Sequence, residues 1–517
     1  MVADPSINTP ESDGSFPVQP MHPTSYNAPV PFFGQGSDIT PEENAQIKRC
    51  VALMNYHHDK NQKRWNYYHG RIAPTNLGLA FKESAAVLDK VRARCDWTKT
   101  SVEKLAERSR LDYFSFDGLY SDDSLRQAWE DNMLGSLYHE ASVSELINAF
   151  VVFSVTLGDV SAGEPAVIVS AHSALESSVI WDYRKKRIGC GLIVTDIDNQ
   201  YNPIAYNFFT DDYIIEMVKG GQTWTTTRHK NSIGRIALEP MVFHPSLERP
   251  LGTSRITKSS MCIVSNALRE ITRLEVASEI FTAPQRYIVG ADADTLDALG
   301  LTNYWNSYLG VEAAEDTNVS VGQFNPPGLT DHILYMKQLA SQFSGETGIP
   351  VTQLGVMSDE PSSADAIHAE QEGLIIEAER MNELNGRAMS NVAKLIMATS
   401  SGVRFSELTP QQRSVMPKWQ SPTRPSMSVV SDAALKMVQA IPGLADTDEI
   451  MQRLGFTDEE IRSIKKQIST RQGLDLLNQL AAKQTTDKAT TTEQPEEQST
   501  KQPADEVTND TNKGGTA

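Results

Sequence analysis

An apolar residue recurs at every seventh position between residues 364 and 400, and this stripe constrains the fold more than any other feature of the chain. The spacing places the recurring side chains on one face of a helix, and such a face is buried against other elements. At about 1.5 Å per residue the helix is roughly 50 Å long, so other elements must be arranged along it. The stripe consists of Ile367, Leu374, Met381, Ala388 and Leu395.

Capping signals predict helices in the first third of the chain. Thr40 and Glu43 have the spacing of a capping box, with proline at the first helical position, and predict a helix that stops at Gly70. Thr100 and Glu103 have the same spacing and predict that a second helix opens there.

The middle of the chain combines helices with strands. A helix following residues 122–124 is expected to carry Leu125, Ala128, Trp129 and Leu137 on one face. Residues 165–245 then contain short β-branched and aromatic runs separated by Gly, Asn and Asp, which is typical of successive strands. The chain is therefore predicted to be an α+β protein.

A helix, a small mixed segment and a second helix follow the strands. Ser254 is expected to cap the first helix, and Gln285–Val289 has the composition of a strand. Thr330 is expected to cap the second helix, which we predict to stop at residues 344–345. A loop at residues 349–363 leads to the striped helix.

The chain is acidic, with a formal net charge of −19 over 517 residues. A protein that grips nucleic acid should show a basic surplus or patch, because it neutralises phosphates. The short basic groups at residues 184–187 and 465–466 are interpreted as solvated faces. The four cysteines form no CxxC pair, and the longest apolar run, residues 146–158, is shorter than a bilayer span.

No motif for catalysis is present. The sequence contains no GxxxxGK[ST] phosphate loop, no HExxH and no GxSxG. Asp365, His368 and Glu372 lie at helical spacing, but any polar helix face offers such a set. Tyr67-Tyr68 and Trp129 lie on apolar faces and are interpreted as core residues. We therefore expect no catalytic residue, no metal and no cofactor.

Several short segments occur in an order typical of one protein family. The early ones are WNYYHG, TKTSVEKLAERSRLDYFSFDG and LRQAWEDNMLGSLYHEASVSELINAFVV. Later ones are VIWDYR, the strand around Pro240, RPLGTSRI and SGETGIPVTQLGVMSDEPSSADAIHAEQEGLIIEAE. Over residues 42–400 the chain resembles the tailed-bacteriophage portal proteins of the Gp6-like siphovirus family. It departs from the family pattern at Asp96-Trp97, Ser109 and Asn148-Ala149.

The resemblance implies an α+β portal fold with wing, stem, clip and helical crown, forming a ring, usually a dodecamer, around a central channel. Its implied divisions are a flexible arm at 1–40, a wing at 41–253 (β-rich over 150–245), a first stem helix at 254–284, a clip at 285–328, a second stem helix at 329–345, a tunnel loop at 346–363, the long helix and wing return at 364–430, a crown at 431–482 and a disordered tail at 483–517.

The resemblance also implies a non-enzymatic role in the virion, at the portal vertex, with assembly in the host cytoplasm. Double-stranded DNA would pass through the channel, and the partners would be the terminase large subunit, a head–tail adaptor, the major capsid protein and scaffold, with no membrane. The candidate clip residues for partner docking are Tyr304, Trp305 and Tyr308. The candidate channel-lining residues are Gln353, Met357, Ser358, Asp359, Glu360 and Asp365.

Three alternatives remain open at this stage. The chain could be another head–tail connector or minor head protein, although these are usually much shorter. It could be a packaging-associated enzyme, such as a nuclease or terminase component, which the missing motifs disfavour. A helical scaffold unrelated to phage is the third, and the long β-rich region disfavours it.

Overall fold

The computed structural model divides the chain into two compact units, residues 1–423 and 424–517. It describes residues 27–34, 37–72, 93–117, 121–199, 201–282, 286–290, 309–311, 320–323, 328–356, 364–423 and 427–441, with isolated positions between 443 and 461 and the segment 463–470.

In the first unit, helices flank a run of eight strands, β2 to β9. The helices are α1 (Pro41–Tyr68), α2 (Trp97–Ala106), α3 (Asp123–Asp131), α4 (Leu134–Asn148), α5 (Lys258–Thr282), α6 (Thr330–Thr347), α7 (Ala364–Ser401) and α8 (Pro410–Arg413); the second unit contains α9 (Met427–Ala440). The strands are β1 (Leu111–Ser115), β2 (Phe150–Leu157), β3 (Val167–Ser173), β4 (Ser177–Asp182), β5 (Arg187–Ile197), β6 (Pro203–Phe209), β7 (Tyr213–Gly220), β8 (Thr223–Lys230), β9 (Leu238–Val242), β10 (Arg286–Val289), β11 (Leu309–Val311), β12 (Ser320–Gln323) and β13 (Met416–Trp419).

The predicted strand region forms two antiparallel sheets. One is a five-stranded meander in the order β4-β5-β6-β7-β8, and the other has the order β3-β2-β9. In β7 the side chains of Ile215 and Met217 are buried while Glu216 and Val218 are exposed, because successive residues of a strand point to opposite faces. Sheet β11-β10-β12 is mixed, and β1 pairs with the distant β13.

The helix starts only partly follow the predicted caps. The capping box of Thr40 and Glu43 is confirmed at the start of α1. The prediction for Thr100 is wrong, because α2 begins earlier, at Trp97, after Asp96. The predicted cap at Thr330 is also wrong, since Leu329 occupies the cap position and makes no side-chain cap.

Two predicted helix boundaries are also wrong. The face expected to run from Leu125 to Leu137 is split between α3 and α4 at Met133, which adopts φ +46° and interrupts the helix. Helix α6 continues past residues 344–345 to Thr347 and ends at Gly348. Gly348 has φ +68°, a left-handed conformation that glycine adopts without steric cost.

The N-terminal segment that precedes α1 contacts the five-stranded sheet. The backbone N–H of Trp224 in β8 donates to the carbonyl of Phe32 at 3.0 Å. Ala28 is buried, and its N–H donates to the side chain of Asn55 in α1 at 2.8 Å. Residues 27–34, within the predicted flexible arm, are therefore fixed against α1 and β8.

Helix α7 crosses two hydrophobic cores. Leu374 and Met381 belong to the core formed with α2, α5 and α6. Ala388 and Leu395 belong to the core formed with α3, α4 and the sheet β3-β2-β9. The predicted stripe is confirmed at these four positions, while the side chain of Ile367 lies outside the described residues.

A polar network lies inside the second of these cores. Asn385 of α7 donates to Glu145 of α4 at 2.9 Å and to the hydroxyl of Tyr138 at 3.1 Å. The Tyr138 hydroxyl also contacts the hydroxyl of Ser109 at 2.7 Å. Glu145 is completely buried with no cation among its contacts in the described residues, and burial raises its pKa to about 8.

Truncation of the α7 stripe should be costly. We expect Leu395→Ala to lower the free energy of unfolding by about 2–5 kcal/mol, because it opens a cavity in a packed core. The exposed Glu383→Ala on the same helix should change it by less than about 0.5 kcal/mol. Guanidinium unfolding of the full-length chain, followed by tryptophan fluorescence, measures both. Equal effects of the two variants would contradict the assignment of this face.

The buried Glu145 should make stability depend on pH. Its folded pKa, about 8, lies above its ordinary value of 4.5, so the folded state binds a proton that the unfolded state releases. The contribution of Glu145 to stability therefore falls as pH rises between these values. Glu145→Gln should stabilise the chain relative to wild type at pH 8, and much less at pH 5, in thermal melts. The exposed Glu140→Gln on the same helix should show no such difference, and a pH-independent effect of Glu145→Gln would contradict the pKa assignment.

Candidate functional site

The segment between β9 and α5 joins the sheets to the helix pair. Gly252 has φ +70°, and a β-carbon there would collide with the carbonyl oxygen of Phe243. The hydroxyl of Ser254 donates to the carbonyl of Ile147 at 2.6 Å, at the end of α4. The predicted cap at Ser254 is therefore wrong, because α5 begins four residues later at Lys258, where Thr257 Oγ1 accepts from the N–H of Ser260.

Arg255 is the centre of this junction. Its Nε donates to the carbonyl of Ser101 in α2 at 2.9 Å, and its Nη2 donates to the carbonyl of Thr347 at the end of α6 at 2.7 Å. Its Nη1 donates to Glu377 of α7. Arg255 is 6% exposed; burial lowers its pKa and Glu377 opposes that shift. One guanidinium therefore fixes three helices against one another.

Helices α5 and α6 run antiparallel. Thr257, just before α5, donates to Glu346 near the end of α6 at 2.7 Å. Glu270, in the middle of α5, contacts His332 Nδ1 at the start of α6 at 2.6 Å. From Thr257 to Glu270 the chain advances along α5, while the bonded partners go back along α6 from Glu346 to His332, so the pair forms an antiparallel hairpin. The mixed sheet β11-β10-β12 lies in the sequence between its two helices.

A short 3-10 turn at Val351–Leu354 follows the hairpin. The indole N–H of Trp97 donates to the carbonyl of Leu354 at 3.0 Å, within the buried core. The hydroxyl of Thr352 donates to Glu370 of α7 at 3.2 Å. The start of the predicted tunnel loop is therefore held against α2 and α7.

The structure describes only part of the predicted lining. Gln353 lies in the 3-10 turn, half-buried, and its Oε1 has no hydrogen-bond partner among the described residues. Asp365 lies in the first turn of α7, but its side chain is outside the described residues. Two groups of predicted site residues lie wholly outside the described residues: Met357, Ser358, Asp359 and Glu360 of the lining, and Tyr304, Trp305 and Tyr308 of the clip.

The sequence did not single out Arg255 or Glu377. The family resemblance could have indicated Arg255, because this residue lies in the segment RPLGTSRI, which carries part of that resemblance. The aromatic residues that the sequence assigned to cores do pack there. Tyr67 bonds the hydroxyl of Ser265 at 2.7 Å, and the Trp129 ring stands 5.6 Å from that of Phe114.

Neither a metal site nor a membrane span is found in the described part of the chain. No three His, Cys, Asp or Glu side chains in it are grouped in a way that could hold an ion. None of its helices is both long and apolar enough to cross a bilayer.

Comparison with known proteins identifies the family. The family model described as "Phage portal protein, SPP1 Gp6-like" matches residues 38–474, which is most of the chain. This match includes the hairpin, the Arg255 junction and all of α7.

Related chains have been named in two phages. The portal protein of Mycobacterium phage L5 is 23% identical over 420 residues, covering 78% of this chain and 83% of the relative. The portal protein of Mycobacterium phage D29 is 23% identical over 430 residues, covering 79% and 85%.

Solved structures resemble this chain more distantly. A chain from the virion of a native gene transfer agent particle is 13% identical, with a TM-score of 0.39, covering 70% of this chain and 89% of its own length. A chain from the neck of the same kind of particle is 14% identical, with a TM-score of 0.35, covering 74% and 94%. Superpositions this loose carry no structural argument, and the assignment depends on the family match. On that match, this chain belongs to the SPP1 Gp6-like family of phage portal proteins.

Proposed function

We propose that this chain assembles into the ring at the capsid vertex through which double-stranded DNA is packaged and ejected. The observation that carries the proposal is the antiparallel hairpin of α5 and α6, held at its base by Arg255 and followed directly by the 3-10 turn. The small sheet β11-β10-β12 lies between the two helices of the hairpin in the sequence. A hairpin anchored at one end, with a small sheet between its helices, suits a stem that leads to a docking tip.

The proposed divisions follow from the observed elements. Helices α5 and α6 form the stem, and β10, β11 and β12 belong to the clip, which docks the terminase and the head–tail adaptor. The elements between α1 and β9 form the wing, beside the major capsid protein and scaffold. Residues 346–363 form the tunnel loop, and the second unit includes the crown. The role is structural rather than enzymatic, in a ring that is usually a dodecamer.

The exposed apolar face at the start of α6 supports assembly. Ile333, Leu334 and Tyr335 are 47%, 56% and 44% exposed in the single chain. Ile376 on α7 is 57% exposed. Apolar side chains exposed to this degree are suited to contact with a partner, and neighbouring subunits of a ring would cover them.

The negative charge supports passage of DNA. A basic lining would hold the phosphates by counterion release, whereas an acidic lining repels them and lets the duplex slide both ways. The candidate carboxylates are Asp359, Glu360 and Asp365. The family match over residues 38–474 favours this role over that of a shorter adaptor or minor head protein.

Assembly should depend on the exposed face of α6. We expect the purified full-length chain to form discrete rings with a central hole in negative-stain micrographs. The double variant Ile333→Ser/Leu334→Ser should shift it towards smaller species in mass photometry, because the apolar contact between neighbours is lost. Gln342→Ser, at an exposed position of the same helix, should leave the rings intact. Monomers or dimers of the wild-type chain would contradict the proposal.

The lining carboxylates should control friction on DNA. We expect Asp359→Asn/Glu360→Gln to slow packaging and to increase retention of a DNA duplex by the ring, because phosphate repulsion is reduced. A packaging assay and duplex retention at several salt concentrations measure these effects. The control is Glu379→Gln, which neutralises an exposed carboxylate on α7. Unchanged packaging and unchanged retention would remove these two residues from the lining.

A further inference from the structure

The basic group at residues 184–187 borders a cleft in the first unit. The cleft has a volume of about 530 Å³ and lies between the turn that joins β4 to β5, the loop after β9 and the middle of α7. A volume of this size accommodates a few side chains of an extended peptide or a small ligand. It does not admit a nucleic-acid duplex.

The lining of the cleft carries a local surplus of positive charge in a chain whose net charge is −19. Glu239 is its one carboxylate, and burial raises the pKa of that group. The cations of the lining are Lys185, Lys186, Arg187, Arg235 and Arg387.

Part of this charge is already paired within the chain. Asp211 binds Lys185 at 2.8 Å and Arg187 at 2.9 Å, and Glu239 binds Arg235. Lys186 and Arg387 are exposed and have no ion-pair partner among the described residues. Two cations therefore remain available to a ligand.

The cations of the cleft indicate the kind of ligand that it binds, and Arg387 offers an exposed guanidinium. Carboxylates suit this site, because guanidinium groups bind them with short charge-assisted hydrogen bonds.

The walls of the cleft are largely apolar. Trp181, Pro240 and Pro250 contribute to them. Tyr183 is 70% exposed and Leu247 is 93% exposed, both at the margin of the cleft. A ligand that fits this lining presents apolar groups between negative charges, as an acidic peptide does and as a phosphate backbone does not.

We propose that this cleft binds an extended acidic segment of a partner protein. Carboxylates of the segment contact Lys186 and Arg387, and an apolar side chain packs between Trp181 and Leu247. This is recognition of an acidic motif by a cluster of cations. The cleft shares the loop after β9 with the junction but includes neither Arg255 nor Glu377 and no residue of the hairpin, and the proposal does not depend on the proposed passage of DNA.

Peptide binding to the full-length chain tests the proposal. The probe is a fluorescein-labelled decapeptide of alternating glutamate and leucine, followed by fluorescence anisotropy. We expect saturable binding that weakens as salt is raised, and no saturable binding of the matched peptide of glutamine and leucine. Lys186→Glu/Arg387→Glu should weaken binding at least tenfold.

A matched double variant separates the cleft from general charge. Arg184→Glu/Arg380→Glu makes the same charge change in the same turn and on the same helix, outside the lining, and should weaken binding less than threefold. Thermal melts establish that both variants are folded. If the cleft variant does not fold, Lys186→Gln replaces it and should weaken binding about threefold or more, with Arg184→Gln as its control.

Three results would overturn the proposal. One is the same loss of binding in the cleft variant and its control. Another is no loss in the cleft variant. The third is displacement of the labelled peptide by a short DNA duplex, or by inorganic phosphate, at the concentration at which the unlabelled glutamate–leucine peptide displaces it. The cleft would then recognise phosphate.

Discussion

The arrangement of this chain depends on the burial of one guanidinium. A charged group removed from water is tolerated only when its donors are satisfied, and the acceptors of Arg255 come from α2, from the last turn of α6 and from α7. Each of those helices is thereby placed relative to the others. The neighbouring Gly252 and Ser254 add contacts to the end of β9 and to α4, so one short segment fixes the register between the sheets and the hairpin.

Helix α7 extends this constraint across the first unit. It contributes Leu374 and Met381 to the core beneath the hairpin, and Ala388 and Leu395 to the core beneath the sheet. Since packed cores deform little, a displacement at the start of α7 is transmitted to both. In the proposed ring this start adjoins the tunnel loop.

The sequence predicted those features that arise from local periodicity. The heptad stripe predicted α7, and the β-branched runs between residues 165 and 245 predicted strands, because burial of one face leaves a regular pattern. The exact ends of the helices were less predictable. Thr100 has the spacing of a cap but lies inside α2. Met133 interrupts a helix through a positive φ, which a methionine side chain gives no reason to expect. The Arg255 junction could not be deduced from spacing, because its partners lie 92 to 154 residues away.

Charge has two proposed roles in this chain, one in the DNA channel and one in the peptide cleft. A net charge of −19 suits a channel that must not hold DNA, while the proposed peptide site depends on a cluster of cations gathered in one cleft. A cryo-electron microscopy reconstruction of the purified oligomer would show directly where the hairpin lies. We expect a closed ring in which α5 and α6 lie nearest the central axis and residues 346–363 form the narrowest part of the channel. A closed ring with the hairpin on its outer rim, or an assembly without a central opening, would contradict this expectation.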